Sequence, residues 1–194
     1  DEKNNKFNEI QKQRFINAIK SFNNENIKYS LSNSNGSILS KSYLFNMIRP
    51  GISLYGGNNY NVSLSKKIKP VITLKGKIIQ IKDINVNEFV GYNQTYKSNK
   101  KMRIAIVGIG YADGIPRILS NKGVVYYKNR KFKIIGRISM DSLTIDITNS
   151  KHILKVGSFI DLINSKHGID KFAKQCGTIS NEIITSIGER VKKI

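Results

Sequence analysis

The segment from Val107 to Arg117 reads VGIGYADGIPR and places a tyrosine and an aspartate among three glycines. Three roles are open to it: a loop that binds phosphate, a turn that presents Tyr111 for chemistry, or a tight connection between strands. The gap between Gly110 and Gly114 is one residue too long for the dinucleotide-binding fingerprint. A β-rich sequence follows instead of a helix, so a phosphate loop is disfavoured.

Two aspartates nearby raise the possibility of acid–base chemistry. Asp141 and Asp146 flank the segment SLTI, and paired carboxylates can act as general acid and base. Asp146 falls in the alternating segment TIDIT, which predicts a solvent-facing strand residue. Asp141 follows the apolar Met140 at the end of GRISMD and stays a candidate.

The remaining residues with reactive side chains are scattered. His152, His167 and Cys176 do not have the spacing of metal ligands, so we interpret them as structural or surface residues and expect no metal. Arg49 lies between Ile48 and Pro50 at a predicted buried strand. It is either an ordinary charge at the rim or, in an α/β barrel, a strand-end residue that faces the active site.

The chain is strongly basic. Its 194 residues include 33 Lys and Arg against 13 Asp and Glu, a formal net charge of +20. Such a charge attracts phosphate whatever the fold. The lysines are spread along the chain and accompany many Asn and Ile residues, a bias that nucleotide composition alone produces. We therefore favour a solvated basic surface over a nucleic-acid interface.

The sequence also indicates in which cellular compartment the protein is expected. No apolar run approaches the roughly 20 residues that span a bilayer, and the start DEKNNKFNEI has neither region of a signal peptide. A single cysteine, Cys176, excludes an internal disulfide framework. We expect a cytoplasmic protein. Because the first residue is Asp, we also expect the chain to be a piece of a longer protein.

The pattern of elements changes along the chain. NEIQKQRFINAIKSF predicts an amphipathic helix, IKYSLSN a strand, KSYLFNM a short helix and GISLYG a buried strand, the rhythm of parallel α/β architecture. From Val71 onward, six β-rich runs separated by turn residues predict an antiparallel sheet or barrel: VITLKGKIIQI, RIAIVGI, GVVYY, FKIIG, LTIDIT and SFIDLI. The break near Lys69 and Pro70 divides the chain into residues 1–68 and 69–194.

Six segments in order carry a more specific signal: LSNSNGSIL, NMIRPGISLYG, VGYNQTY, VGIGYADGIPRILSNKG, IIGRISMDSLTIDIT and GTISNEIITSIGERV. Together they resemble the successive motifs of alanine racemase, a pyridoxal-phosphate enzyme, from about Asn8 to Val191. The resemblance implies that residues 1–68 are the last α/β units of a (β/α)8 barrel that binds the cofactor. Residues 69–194 would be the mostly β C-terminal domain.

The same resemblance implies cofactor-binding residues in the first part. Asn33 and Ser34 match positions near the phosphate and ring of pyridoxal 5'-phosphate. Arg49 matches the arginine that bonds the pyridine nitrogen, and a guanidinium there can only donate. Gly51 and Ile52 match residues whose backbone amides approach the phosphate.

In the second part, the resemblance assigns catalysis not to the opening segment but to GYNQTY. Tyr92 is the implied base on the L-alanine side, and positive charge from Arg137 would favour its phenolate. Tyr111, Met140 and Asp141 join Arg137 as implied substrate-binding residues. Tyrosines or a methionine taken singly would more often be packing residues.

The implied function is interconversion of L- and D-alanine for peptidoglycan synthesis by a head-to-tail homodimer, in which the β domain of one protomer completes the partner's site. No lysine here matches the one that bonds the cofactor, so we expect the chain to be inactive alone. Two alternatives stay open: a non-catalytic or split half that docks to a partner chain, and a basic β-barrel that binds nucleic acid.

Overall fold

The structure is a computed structural model that describes residues 4–22, 26–57, 68–150 and 154–194. It divides into two compact units, Asp1–Val71 and Ile72–Ile194. The first unit is built from helices and turns, and the second mainly from strands, with two short α-helices after the last strand. Each unit is described by itself.

The first unit contains two α-helices and two 3-10 helices in its described part. Helix α1 confirms the expected helix, although none of its side chains is fully buried. Its Phe15 ring packs edge-on against Phe45, with the ring centroids 4.9 Å apart. The elements are α1 (Phe7–Ile19), α2 (Ser34–Leu39) and the 3-10 helices Lys41–Tyr43 and Ile52–Tyr55.

Two strand predictions for this unit are wrong. GISLYG forms the 3-10 helix Ile52–Tyr55 instead of a buried strand. The Gly51 N–H donates to the hydroxyl of Ser34, 17 residues earlier in the chain, at 2.7 Å, so it is not available to a neighbouring strand. IKYSLSN is reduced to one isolated parallel bridge, between Asn33 and Arg49.

The second unit is a closed six-stranded barrel in the order β1-β4-β7-β6-β5-β8, with every pair antiparallel. It confirms the predicted mostly β domain. A separate two-stranded sheet, β2-β3, precedes β4 in the chain. The strands are β1 (Leu74–Ile84), β2 (Phe89–Val90), β3 (Tyr96–Lys97), β4 (Met102–Gly108), β5 (Val124–Tyr127), β6 (Arg130–Ile135), β7 (Leu143–Asp146) and β8 (Phe159–Ile163).

Alternation along the strands builds the barrel core. In β7, Leu143 and Ile145 are buried while Thr144 and Asp146 are partly exposed, as a period of two requires. The Asp146 carboxylate accepts hydrogen bonds from the Thr148 N–H at 2.9 Å and the Thr148 hydroxyl at 2.6 Å. Asp146 is therefore a turn-capping residue and not half of an acid–base pair.

Two helices end the chain, α3 (Ile169–Cys176) and α4 (Ser180–Ser186). Helix α3 buries Ile169, Phe172, Ala173 and Cys176, and it ends where Gly177 takes a φ of +69°. None of the helices in the described ranges has the length and apolarity to cross a membrane.

Candidate active site

In the first unit, the expected phosphate-side residues form a small network of hydrogen bonds. Asn33 caps α2, and its side-chain oxygen accepts from the Gly36 N–H at 2.9 Å. The buried Ser34 hydroxyl accepts from the Gly51 N–H at 2.7 Å and from the Ser53 N–H at 3.4 Å. Two backbone amides thus converge on the Ser34 hydroxyl, which links the start of α2 to the 3-10 helix Ile52–Tyr55.

Arg49 is anchored by the chain that precedes α2. Its guanidinium donates to the Ser30 carbonyl at 2.9 Å, to the Ser30 hydroxyl at 2.6 Å and to the Leu31 carbonyl at 3.3 Å. The Arg49 backbone N–H donates to the Ser32 carbonyl at 2.9 Å. These bonds fix a group that can only donate, which is the chemistry a pyridine nitrogen needs from its partner.

A cavity of about 200 Å³ opens beside these residues. Asn33 and Arg49 line it, whereas Ser34, Gly51 and Ile52 are not among its lining residues. The structure therefore brings two of the five predicted cofactor-binding residues to one cavity. Of the other three, Ser34 begins α2, and Gly51 and Ile52 lie at the start of the 3-10 helix Ile52–Tyr55. Its lining residues are Asn8, Gln11, Leu31, Ser32, Asn33, Gly36, Leu39, Tyr43 and Arg49.

In the second unit, Tyr92 projects from a turn. It begins the 3-10 segment Tyr92–Gln94, and 68% of its surface is exposed. Gly91, Asn93 and Gln94 all have positive φ angles, of 79°, 59° and 54°. Exposure of this degree excludes a core-packing role for Tyr92 within its own unit.

The turn that carries Tyr92 lies directly against the segment that carries Arg137. A Cβ added at Gly91 would lie 2.5 Å from the Arg137 backbone nitrogen, and one added at Gly136 would lie 2.6 Å from the Val90 carbonyl oxygen. Both glycines have left-handed φ angles, of 79° and 72°. The two backbones touch because neither position carries a side chain.

The opening segment is a tight turn held against a second loop. The Tyr111 N–H donates to the Ser139 carbonyl and the Ala112 N–H to the Met140 carbonyl, both at 3.0 Å. A Cβ at Gly110 would lie 2.3 Å from the Met140 carbonyl oxygen. Tyr111 and Met140 are both exposed, so the turn presents a tyrosine beside a methionine.

Asp141 is engaged in an ion pair. Arg190 donates to its carboxylate and also lies 3.4 Å, Nε to Oδ1, from the buried Asp113. The hydrogen bond to Asp141, followed by the charge of Asp113, raises the pKa of Arg190. Sequence reasoning missed Arg190, because 49 positions separate it from Asp141 and no local pattern links them.

Among the described residues, His167 and Cys176 are not part of a metal-binding cluster. His167 stacks on Tyr126, with ring centroids 3.5 Å apart, and burial raises the pKa of Cys176 to about 12. His152 lies outside the described residues. In the ranges that the structure describes, no group of three or more His, Cys, Asp or Glu is placed to hold a metal ion.

Comparisons with known proteins agree with both units. A family model described as "Alanine racemase, C-terminal domain" matches residues 71–194. A second model, "Alanine racemase, N-terminal domain", matches residues 1–59. The N-terminal part of the chain therefore matches the N-terminal domain of this family.

Individual relatives give the same result. An alanine racemase of Rickettsia bellii is 37% identical over 100% of this chain and 47% of its own length, and one of Brucella canis is 40% identical over 85% of this chain and 45% of its own. The chain spans about half the length of the curated relatives it matches.

Solved structures are similar in fold as well. A crystal structure of alanine racemase from Bartonella henselae with covalently bound pyridoxal phosphate superimposes with a TM-score of 0.88 at 34% identity, over 100% of this chain and 53% of that one. The enzyme from Streptomyces coelicolor A3(2) gives a TM-score of 0.90 at 26% identity, again over 100% of this chain and 53% of that one. The chain belongs to the alanine racemase family.

Proposed function

We propose that the protein containing this chain is a pyridoxal-phosphate-dependent racemase that interconverts L- and D-alanine and supplies D-alanine for peptidoglycan. Support comes from the family models over both units and from relatives that carry the name alanine racemase. The Bartonella henselae relative holds covalently bound pyridoxal phosphate. The division at residues 68 and 69 and a cytoplasmic location stay predictions.

The first unit contributes groups that fit this cofactor. Bound pyridoxal phosphate withdraws electrons from the α-carbon of an attached amino acid and so makes its proton acidic. Arg49 would donate to the ring nitrogen and keep it unprotonated, which weakens the electron sink and favours proton exchange over side reactions. Asn33, Ser34, Gly51 and Ile52 would lie on the phosphate side, where the Ser34 hydroxyl links the start of α2 to the 3-10 helix Ile52–Tyr55.

Tyr92 would act as the base that removes the α-proton of L-alanine. The observation that carries this role is its exposure on a turn packed against the backbone of Arg137. A base must reach the proton it removes, and the exposure of Tyr92 on this turn leaves its phenol accessible. Inversion at one carbon needs a second base on the opposite face, which the family lysine supplies.

Tyr111, Met140, Asp141 and Arg137 would line the substrate side. Two backbone hydrogen bonds, from Tyr111 to Ser139 and from Ala112 to Met140, hold these two segments together. Arg190 donates to Asp141. We further propose a head-to-tail homodimer, in which the second unit of one protomer completes the partner's site. Such a site is incomplete in a monomer, because the base and the cofactor groups come from different copies.

The test is an assay of the complete product of the gene that encodes this chain, with and without pyridoxal phosphate. We expect racemisation of alanine only with the cofactor. Tyr92→Phe should lower kcat/KM for L-alanine by roughly 10²- to 10⁴-fold, the usual contribution of a general base. Tyr127→Phe, at a β5 tyrosine outside the site, is the matched control and should retain activity.

Two outcomes would overturn the proposal. An inactive loaded protein would favour a non-catalytic half that docks to a partner chain. An active protein in which Tyr92→Phe behaves like Tyr127→Phe would remove Tyr92 from the role of base.

A further inference from the structure

Two adjacent side chains hold the segment that carries Arg137. The Asn121 side-chain oxygen accepts from the Gly136 N–H at 2.6 Å. The Ser120 hydroxyl accepts from the Ile138 N–H at 3.0 Å. These two amides stand on either side of Arg137, so both of its neighbours are fixed by side chains from one short stretch.

The Ser120 hydroxyl is itself oriented. It donates to the Arg117 carbonyl at 2.6 Å, which leaves its lone pairs for the Ile138 N–H. The 3-10 helix Arg117–Leu119 ends at this serine. The 3-10 helix that precedes Ser120 therefore fixes the hydroxyl that accepts from the Ile138 N–H.

Asn121 also reaches the segment that carries Tyr92. Its side-chain nitrogen lies 3.4 Å from the Thr95 carbonyl and 3.3 Å from the Thr95 hydroxyl, and Thr95 directly follows the Tyr92–Gln94 turn. One amide thus accepts from the Arg137 segment and donates to the Tyr92 segment. Asparagine suits this position, because its φ of 60° lies in the left-handed region that Asn adopts readily.

The Tyr92 turn needs such support. Asn93 and Gln94 are consecutive residues with positive φ, a conformation that is unfavourable for most L-residues and especially for one such as Gln94. Inside the turn, the Gln94 N–H reaches the Gly91 carbonyl only at 3.4 Å. A strained turn keeps its shape when the surrounding structure holds it, and Asn121 makes hydrogen bonds to it.

We propose that Ser120 and Asn121, here called the 120–121 clasp, are positioning residues for the proton-transfer step. The clasp fixes the turn of Tyr92 against the segment of Arg137, so that the phenol and the guanidinium keep one relative placement. Neither residue touches substrate in this account. This inference rests on the proposed racemase function. It adds two residues that support the site without taking part in the reaction.

The first test uses the complete gene product with pyridoxal phosphate and the variant Asn121→Gly, which keeps the left-handed backbone and removes both links. Asn129→Gly, at a left-handed asparagine (φ 66°) in the β5–β6 turn, is the matched control. We expect Asn121→Gly to lower kcat/KM for L-alanine about 10- to 100-fold, as misplacement of a catalytic group does. The control should stay near wild type.

A kinetic isotope effect separates positioning from simple loss of fold. With α-deuterated L-alanine, Asn121→Gly should show a larger primary isotope effect on kcat/KM than wild type, because proton removal becomes the slow step. A partly unfolded enzyme loses rate in proportion to the unfolded fraction and keeps the wild-type isotope effect. A lower rate with an unchanged isotope effect would therefore overturn the proposal.

Hydrogen exchange gives a second readout that needs no activity. In Asn121→Gly, the amides of residues 136–138 and 91–95 should exchange faster than in wild type, whereas Asn129→Gly should leave them unchanged. If Asn121→Gly does not fold, Ser120→Ala removes only the Ile138 link and should raise exchange at Ile138 and the isotope effect by smaller amounts. Exchange and isotope effect both at wild-type values would refute the clasp.

The two proposals fail in different ways. A wild-type product that does not racemise alanine refutes the proposed function, and the clasp as a positioning device for that reaction falls with it. An active wild type whose Asn121→Gly variant matches Asn129→Gly refutes the clasp alone.

Discussion

The two units of the chain differ in how much of their own surface they bury. In the described part of the first unit, Ile52 is the single apolar side chain that is buried, and Phe7, Phe22, Leu54 and others stay exposed. The second unit buries apolar side chains from every barrel strand. A closed antiparallel barrel satisfies its own backbone and core, since no strand is left with a free edge. The helices and turns of the first unit have no sheet of their own, so another part of a polypeptide must cover their apolar side chains.

The largest effect should appear when the units are separated. A fragment of residues 72–194 should give a cooperative thermal transition by circular dichroism, because its barrel is closed within the fragment. A fragment of residues 1–71 should give none, because it buries too little apolar surface to offset chain entropy. A cooperative transition in the shorter fragment would show that the first unit folds by itself, which would contradict this expectation.

Within the barrel, two neighbouring residues of β1 differ strongly in burial and allow a core position to be compared with a surface position. Ile78 is 0% exposed and Ile79 is 55% exposed. Ile78→Ala should lower the free energy of unfolding by about 2–5 kcal/mol, the cost of a core cavity. Ile79→Ala should cost less than about 1 kcal/mol, as at most surface positions.

Urea unfolding of the second unit would measure both variants. Alkylation of Cys176 gives an independent probe, because this single cysteine is buried and its pKa is raised to about 12. It should react only as the unit unfolds. Equal losses for Ile78→Ala and Ile79→Ala would contradict the burial pattern.

Two glycines of the second unit should respond to alanine for different reasons. A Cβ at Gly110 meets the Met140 carbonyl oxygen at 2.3 Å, whereas Gly177 has open space around it but a φ of +69°. Gly110→Ala should lower the free energy of unfolding of the second unit by roughly 1–3 kcal/mol through overpacking, and it should displace Met140. Gly177→Ala should lower the same free energy by about 1–2 kcal/mol, because alanine is unfavourable in a left-handed backbone conformation. Chemical-shift changes at residues 139–141 should occur only in the first variant.

The smallest effect concerns pH. Burial, followed by the charges of Lys171, Lys166 and Lys131, lowers the pKa of His167 from 6.5. The folded unit then binds this proton less readily than the unfolded chain, so its stability is complete above about pH 6.5 and declines as pH falls toward the lower folded pKa. His167→Phe keeps a ring to stack on Tyr126 and should remove this part of the decline in urea unfolding between pH 7.5 and pH 5. An unchanged pH dependence would show that other groups cause it.

Features that depend on a local sequence pattern could be predicted from the sequence, whereas features that depend on distant contacts could not. The barrel strands were predictable, because an alternating pattern is local and the closed sheet repeats it from strand to strand. GISLYG was misjudged, because a hydroxyl 17 residues earlier, at Ser34, takes the Gly51 N–H. The clasp at Asn121 was missed for a related reason, since its partners Thr95 and Gly136 are 26 and 15 residues away. Tyr92 was found only through the ordered motifs, because nothing in GYNQTY alone distinguishes a base from a packing residue.

The most direct test of the account is complementation between two variants of the complete gene product, loaded with pyridoxal phosphate. Tyr92→Phe changes the second unit and Arg49→Leu changes the first, and each variant alone should be nearly inactive. If one protomer's second unit completes its partner's site, an equal mixture of co-folded chains should regain about a quarter of wild-type activity, because half of the dimers are mixed and one of their two sites is intact. A mixture that forms dimers yet regains no activity would contradict the shared site.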